Sequence, residues 1–233
     1  MTTALVIEND PGQGLGRAAA WLAEAGMELD TVRPHLGEAV PNSAGGHDAL
    51  IALGGGRGKD WSDDLTGLMQ TAVADTTPTF AICSSSRLLA VAFGGAVEDR
   101  SEPFGPRMLA KRDAAGRDLV FGPAPMTLDV IRWRRQEIVE LPPDATLLAA
   151  SPQGALEVFR IRDTAWGVQS HFEFTPQQLA DFVAFGKPVF DSAALAKAAE
   201  VDEHIVATWK PILQRFARVA AGGRKALPVI DAR

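Results

Sequence analysis

The stretch Thr79-Phe80-Ala81-Ile82-Cys83-Ser84-Ser85-Ser86-Arg87 decides the fold of this chain. The mainly apolar run over residues 78–83 predicts a strand buried on both faces, and residues 87–93 predict a short helix after it. A sharp turn between a buried strand and a helix exposes the side chain at the turn, which here is that of Cys83.

The same alternation of strand and helix fills the first hundred residues. Strands are predicted at 4–7, 29–32 and 49–53, and helices at 17–25 and 63–73. Buried strands that alternate with helices indicate a parallel sheet covered on both faces, which is an α/β fold. No linker, repeat or low-complexity segment interrupts the chain, so residues 1–233 are predicted to form a single domain.

The rest of the chain predicts more strands and then helices. Short strands are expected at 119–121, 127–133, 137–141, 156–161 and 165–169. Thr175-Pro176-Gln177-Gln178 is a helix start signal with a capping box. A long helix is predicted over 194–219, where Pro211 should kink or interrupt it. Its apolar stripe favours a place in the core over a dimer contact and consists of Ile205, Trp209, Ile212, Phe216 and Val219.

Composition excludes several classes of protein. One cysteine cannot form an internal disulfide or a zinc site of several thiolates, and no metal or other cofactor is predicted. The net charge of −6 argues against nucleic-acid binding, and no apolar run is long enough for a membrane helix. The N-terminal residues lack the features of a secretory signal, so a cytoplasmic location is expected.

Two further motifs accompany Cys83. His171 ends an apolar strand, and Glu173 follows at a spacing that lets its carboxylate reach the imidazole. Gly54, Gly55 and Gly56 follow another buried strand, where backbone N–H groups could bind an oxyanion. Each motif has an alternative interpretation: Cys83 could be an inert buried thiol, and His171 an ordinary histidine at a strand end. The glycine loop could bind phosphate, but its sequence lacks the spacing of a nucleotide-binding motif, so that alternative is weakly supported.

Together these motifs resemble the class I, triad-type glutamine amidotransferase domain. The matching stretches are Leu53-Gly54-Gly55, Ala81-Ile82-Cys83 and Gly167-Val168-Gln169-Ser170-His171-Phe172-Glu173. The resemblance implies a three-layer, flavodoxin-like α/β/α sandwich over a core of about 3–185, with residues 186–233 as a helical extension. It also implies that Cys83 is the nucleophile, that His171 is the acid/base and that Glu173 orients it. The oxyanion hole would be formed by the N–H groups of Gly55 and Ser84.

The sequence departs from the family pattern mainly around the nucleophile. Ser85 replaces a glycine, Arg87 replaces a glutamine that contacts substrate, and Phe172 replaces a proline. Arg87 could bind a substrate carboxylate or pair with an acidic side chain. Arg134 lies in an arginine-rich segment that could line the same cleft or face solvent. The predicted substrate-binding residues are Gly54, Gly56, Ser85, Arg87, Arg134 and Ser170.

The resemblance implies a cysteine amidase or amidotransferase that acts on glutamine or a related γ-glutamyl amide through a thioester. Two alternatives stay open: a hydrolase or acyltransferase with altered specificity, and a non-catalytic binding or regulatory subunit. The expected partner is a small-molecule amide, and no nucleic acid or membrane is expected. A separate synthetase or acceptor subunit is possible because the chain has no synthetase motif, and a homodimer is also possible.

Overall fold

The computed structural model describes residues 1–55, 59–184 and 192–222. The strands in these ranges are β1 Thr2–Ile7, β2 Met27–Val32, β3 Ala49–Ala52, β4 Thr79–Ile82, β5 Ala96–Lys111, β6 Thr127–Glu140, β7 Ala145–Ala150, β8 Leu156–Ile161 and β9 Ala165–Val168. The α-helices are α1 Ala18–Glu24, α2 Ser62–Ala74, α3 Ser84–Ala92, α4 Pro176–Ala184, α5 Ser192–Glu200 and α6 Asp202–Ala220.

The strands form one sheet in the order β2-β1-β3-β4-β9-β8-β7-β5-β6. Neighbours from β2 to β9 pair in parallel, and the pairs from β9 to β6 are antiparallel. The carboxyl ends of β3, β4 and β9 therefore meet at one edge, where the ligands of open α/β sheets bind. This edge brings together the three segments that carry the predicted site.

Helices cover both faces of the sheet, as the α/β/α prediction requires. Alternate residues of β1 point into two separate apolar clusters: Val6 into one and Ile7 into the other. The first cluster takes in Trp209 and Phe216 from α6, and the second takes in Leu68 from α2. The apolar stripe predicted for the C-terminal helix is buried in the first cluster.

The antiparallel half of the sheet departs from the sequence predictions. The strands β5 and β7 were not predicted, and the segments 127–133 and 137–141 form the single strand β6. The strand predicted at 119–121 is a turn, because the Asp118 carboxylate accepts the backbone N–H groups of Val120 and Phe121 at 2.9 and 2.8 Å.

The C-terminal helical region also differs from its prediction. Two helices, α5 and α6, stand where one was expected, and α6 continues through Pro211 without interruption. Pro211 has no N–H, so the carbonyl of Ala207 lacks its helical hydrogen-bond partner. Both residues lie on the exposed face of the helix, which reduces the cost of the missing hydrogen bond. No helix among the described residues has the length and apolar character needed to span a membrane.

Candidate active site

Cys83 occupies a strained turn between β4 and α3. Its backbone has φ 57° and ψ −117°, a conformation that non-glycine residues rarely adopt and that is often found at functional sites. The Cys83 N–H donates to the carbonyl of Val168 at the end of β9, at 2.8 Å, which ties the turn to the neighbouring strand. Cys83 is 5% exposed and lies at the N-terminus of α3, where the helix dipole favours an anion.

The glycine loop after β3 packs directly against this turn. A side chain at Gly54 would come within 3.1 Å of the Cys83 Cβ, and one at Gly55, whose φ is +83°, would come within 2.4 Å of the Asp10 Cβ. Gly55 therefore requires glycine, and at Gly54 a larger residue would crowd the Cys83 side chain. The Ser84 hydroxyl donates to the carbonyl of Gly55 at 2.7 Å, so the two predicted oxyanion-hole residues are neighbours. Gly56 lies outside the described residues.

His171 and Glu173 form the hydrogen bond that their spacing predicts. The Nδ1 of His171 lies 2.6 Å from Glu173 Oε1, while Glu173 Oε2 accepts the backbone N–H of Phe172 at 2.8 Å. The main chain of His171 also exchanges two hydrogen bonds of 2.7 Å with Ile131. Both side chains are almost fully buried. The imidazole is therefore held in one orientation, with Nε2 as its remaining nitrogen.

Cys83 and His171 are electrostatically coupled. Burial alone would raise the pKa of the Cys83 thiol, but His171 and Arg87 outweigh burial and lower the pKa to about 6. Burial would lower the pKa of His171, but Glu173 and Cys83 raise it to about 10. Among the described residues, Nε2 of His171 has no hydrogen-bond partner of normal geometry. Near neutral pH the arrangement favours a thiolate beside an imidazolium.

Arg87 is the second cation beside the thiol. It lies one helical turn after Cys83, and its Nη2 is 3.8 Å from Cys83 Sγ. The residue is only 8% exposed. The structure thus places Arg87 at the thiol itself, and no acidic side chain of the described residues pairs with it.

Ser85 is fully buried between α3 and the loop after β3, and its hydroxyl is hydrogen-bonded there. Its hydroxyl donates to the carbonyl of Leu53 at 2.6 Å and accepts from Asn9 Nδ2 at 3.3 Å. The buried Asn9 also donates to Leu53 and accepts from Trp61 Nε1 at 3.1 Å. Asn9 was not singled out from the sequence; its place two residues after the first buried strand was the available signal. The Ser85 hydroxyl is therefore already engaged in hydrogen bonds within the protein.

Arg134 and Ser170 meet at a carboxylate that the sequence analysis missed. Glu157, which is fully buried, accepts from Arg134 Nη1 at 2.6 Å and from the Ser170 hydroxyl at 2.7 Å, and it also pairs with Arg132. Arg132 in turn contacts Glu102 at 2.5 Å. Arg134 and Ser170, which were predicted to bind substrate, thus belong to a buried ionic cluster. Ser170 links this cluster to His171, the next residue in the chain. A glutamate within the apolar run 156–161 was its only signal in the sequence.

Phe172, which stands where the family pattern has a proline, packs against the C-terminal helix. Its ring stacks on Trp209 of α6 with centroids 4.1 Å apart and planes 3° apart. On the other side of the loop, the rings of Trp133 and Phe174 lie 5.9 and 5.2 Å from the His171 ring. The loop that carries the histidine and the glutamate is therefore packed between α6 and β6.

Comparisons with known proteins show what the chain is similar to. The family model described as glutamine amidotransferase class-I matches residues 18–187. Gamma-glutamyl peptidase 4 of Arabidopsis thaliana is 27% identical over 185 residues, which cover 75% of this chain and 70% of that protein. Aminodeoxychorismate synthase of Streptomyces griseus is 35% identical over 98 residues, which cover 41% of this chain but only 13% of that protein.

Solved structures show the same fold. A glutamine amidotransferase from Thermotoga maritima superposes with a TM-score of 0.79 at 20% identity, covering 93% of this chain and 98% of that one. A glutamine amidotransferase from Methylobacillus flagellatus gives a TM-score of 0.77 at 20% identity, covering 98% and 96% of the two chains.

Proposed function

The chain belongs to the class-I glutamine amidotransferase family, and from that membership we propose that it is a cysteine hydrolase of γ-glutamyl amides. Cys83 would form a thioester with the γ-carbonyl of glutamine or a related amide. The observation that carries the proposal is the pairing of a buried, strained cysteine with two neighbouring cations, His171 and Arg87. A thiol in that setting is a nucleophile near neutral pH.

The proposed reaction has two halves, formation of a thioester on Cys83 and its hydrolysis by water. The Cys83 thiolate attacks the amide carbon, and the N–H groups of Gly55 and Ser84 stabilise the oxyanion. The C–N bond then breaks while imidazolium His171 gives its Nε2 proton to the leaving amine. Neutral His171 next removes a proton from water, whose oxygen attacks the thioester carbon. The C–S bond then breaks, Cys83 leaves as the thiolate beside imidazolium His171, and the γ-carboxylic acid departs and loses its remaining proton to solvent. Glu173 keeps the imidazole oriented throughout.

Two observations favour a γ-glutamyl amide hydrolase over a strict glutaminase. The relative aligned over three quarters of the chain is named a gamma-glutamyl peptidase. Arg87 stands where the family pattern has a glutamine that contacts substrate, which changes the charge beside the reacting atom. Transfer of ammonia to an acceptor would require a separate synthetase subunit, which we propose as the second candidate because of the alignment with aminodeoxychorismate synthase.

The test combines labelling with turnover. A diazoketone analogue of glutamine should attach once to each wild-type protein molecule, as seen by mass spectrometry, and peptide mapping should locate the adduct at Cys83. Cys83→Ala is a matched control because that variant contains no thiol at all. Ammonia release from glutamine and amine release from a panel of γ-glutamyl amides then define the substrate. A folded protein that shows neither the adduct nor any release would contradict the proposal and favour a binding subunit.

The same assays separate the two candidates. A hydrolase should release amine at the same rate with or without added protein partners. A synthetase-dependent amidotransferase should instead release little ammonia alone and should gain activity only when its acceptor subunit and substrate are present. Glu98 is an exposed residue of the β5–β6 hairpin, so Glu98→Gln should leave the release rates unchanged and serves as the control variant.

A further inference from the structure

Arg87 is a buried cation that lacks an ordinary counter-ion. Its Nε and Nη1 atoms are buried and have no hydrogen-bond partner within the described part of the chain. Its Nη2 has one acceptor there, the sulfur of Cys83, at 3.8 Å. A guanidinium cannot lose its proton to escape burial, and an unpaired buried charge is strongly unfavourable. Among the described atoms, the Cys83 sulfur is therefore the candidate for the negative charge that compensates Arg87.

The charges around the sulfur also indicate that Arg87 and the Cys83 sulfur are partners. The described groups that affect the ionisation of Cys83 are His171, Arg87 and Glu173. An imidazolium, a carboxylate and a thiolate together carry a net charge of −1 in an almost fully buried site. Adding the guanidinium brings the sum to zero. Arg87 thus supplies the positive charge that the other three groups lack.

We propose that Arg87 is the permanent counter-ion of the Cys83 thiolate, a catalytic residue that keeps the sulfur ionised independently of the proton on His171. In the family pattern this position holds an uncharged glutamine, so the role belongs to this chain. The inference rests on the proposed nucleophilic function of Cys83. It adds a second cation to the imidazolium that ordinarily activates the sulfur in such a site.

The reaction remains electrically balanced with this assignment. When the S–C bond forms and the C–N bond breaks, the sulfur loses its negative charge and His171 loses its proton to the leaving nitrogen. Arg87 and Glu173 then balance one another in the thioester state. Hydrolysis by water breaks the S–C bond and restores both the thiolate and the imidazolium. The site therefore stays neutral through both halves of the reaction.

The test is the pH dependence of alkylation by iodoacetamide, an uncharged reagent. Because the chain has one cysteine, the rate reports on Cys83 alone. The wild-type rate should rise with an inflection near pH 6. Arg87→Met should move the inflection upward by about 1–3 units, since an opposite charge at this distance has such an effect. Arg87→Lys, which keeps the charge, should stay closer to the wild type, and exposed Arg100→Met is the matched control.

A second pair of variants separates the two cations. His171→Asn should still show a lower inflection than the double variant His171→Asn, Arg87→Met, whose inflection should lie in the ordinary range of a thiol or above it because burial then acts without a cation. Thiolate absorbance near 240 nm gives the same information for any variant that alkylates slowly. Equal inflections in folded wild type and Arg87→Met, or an Arg87→Lys inflection equal to that of Arg87→Met, would overturn the assignment. Alkylation requires no amide turnover, so this result is independent of the hydrolase proposal.

Discussion

The substitution Glu157→Gln should destabilise the protein strongly although it removes only one charge. Glu157 is fully buried and accepts hydrogen bonds from two arginines, Arg132 and Arg134, and from the hydroxyl of Ser170. A glutamine at this position has the same size but leaves the two buried guanidinium groups with less negative charge around them. Its amide nitrogen would also face a donor instead of accepting from it.

The size of the effect follows from the loss of a buried ionic partner. Removing one member of a buried ion pair costs about 3–5 kcal/mol of unfolding free energy, because the other charge stays buried. For a chain of this length, 1 kcal/mol shifts the melting temperature by about 2–4 °C, so Glu157→Gln should lower it by about 6–20 °C. Thermal unfolding followed by circular dichroism near neutral pH measures this shift.

Two variants make the measurement decisive. Glu98→Gln removes a carboxylate from an exposed pair with Arg100 and should change stability by less than about 0.5 kcal/mol. The replacement of Arg132, Arg134 and Glu157 by methionine, combined with Glu137→Gln because Glu137 pairs with Arg134 at 3.2 Å, should recover much of the loss, since apolar side chains do not carry the desolvation cost. If Glu157→Gln melted as the exposed control does, the cluster would contribute nothing and the reasoning would be refuted.

Three other outcomes are expected. Amide hydrolysis should follow a bell-shaped pH profile that rises near 6, as the Cys83 thiolate forms, and falls near 10, as His171 loses its proton; a single rise near 9 would contradict the ion pair. Glu173→Gln should lower kcat by about a hundredfold or more with little change in KM, because the imidazole loses its orienting carboxylate; an unchanged kcat argues against that role. Trp209→Ala should cost about 3–5 kcal/mol by chemical denaturation and should also reduce kcat, since Phe172 loses its stacking partner; a loss of stability with full kcat in the folded protein would uncouple α6 from the site.

The parallel half of the sheet could be predicted because its strands are buried on both faces and therefore appear as unbroken apolar runs. The strand β5 could not, because its middle residues, Asp99, Arg100, Ser101 and Glu102, are polar and it is held by the hairpin pairing with β6. In β6, Arg132 and Arg134 point into the protein, since a glutamate from another strand compensates their charge. No local pattern reveals such a partner.

The candidate site was predictable where its groups are close in sequence. The spacing of His171 and Glu173 predicts their hydrogen bond, and the strand-to-helix transition predicts the turn at Cys83. The place of Arg87 at the thiol follows from helical periodicity, but its lack of another partner depends on the whole packed interior. Contacts such as that between Phe172 and Trp209 join distant parts of the chain and are visible only in the fold.

The stack of Phe172 on Trp209 has a consequence for the order of events during synthesis. A ribosome makes the chain from its N-terminus, so the nucleophile emerges long before the aromatic residue that packs the loop of His171 and Glu173. Until α6 has left the exit tunnel, that loop lacks its packing partner, and the thiol lacks a properly held imidazole. We therefore expect the loop of His171 and Glu173 to reach its final packing only after α6 has formed.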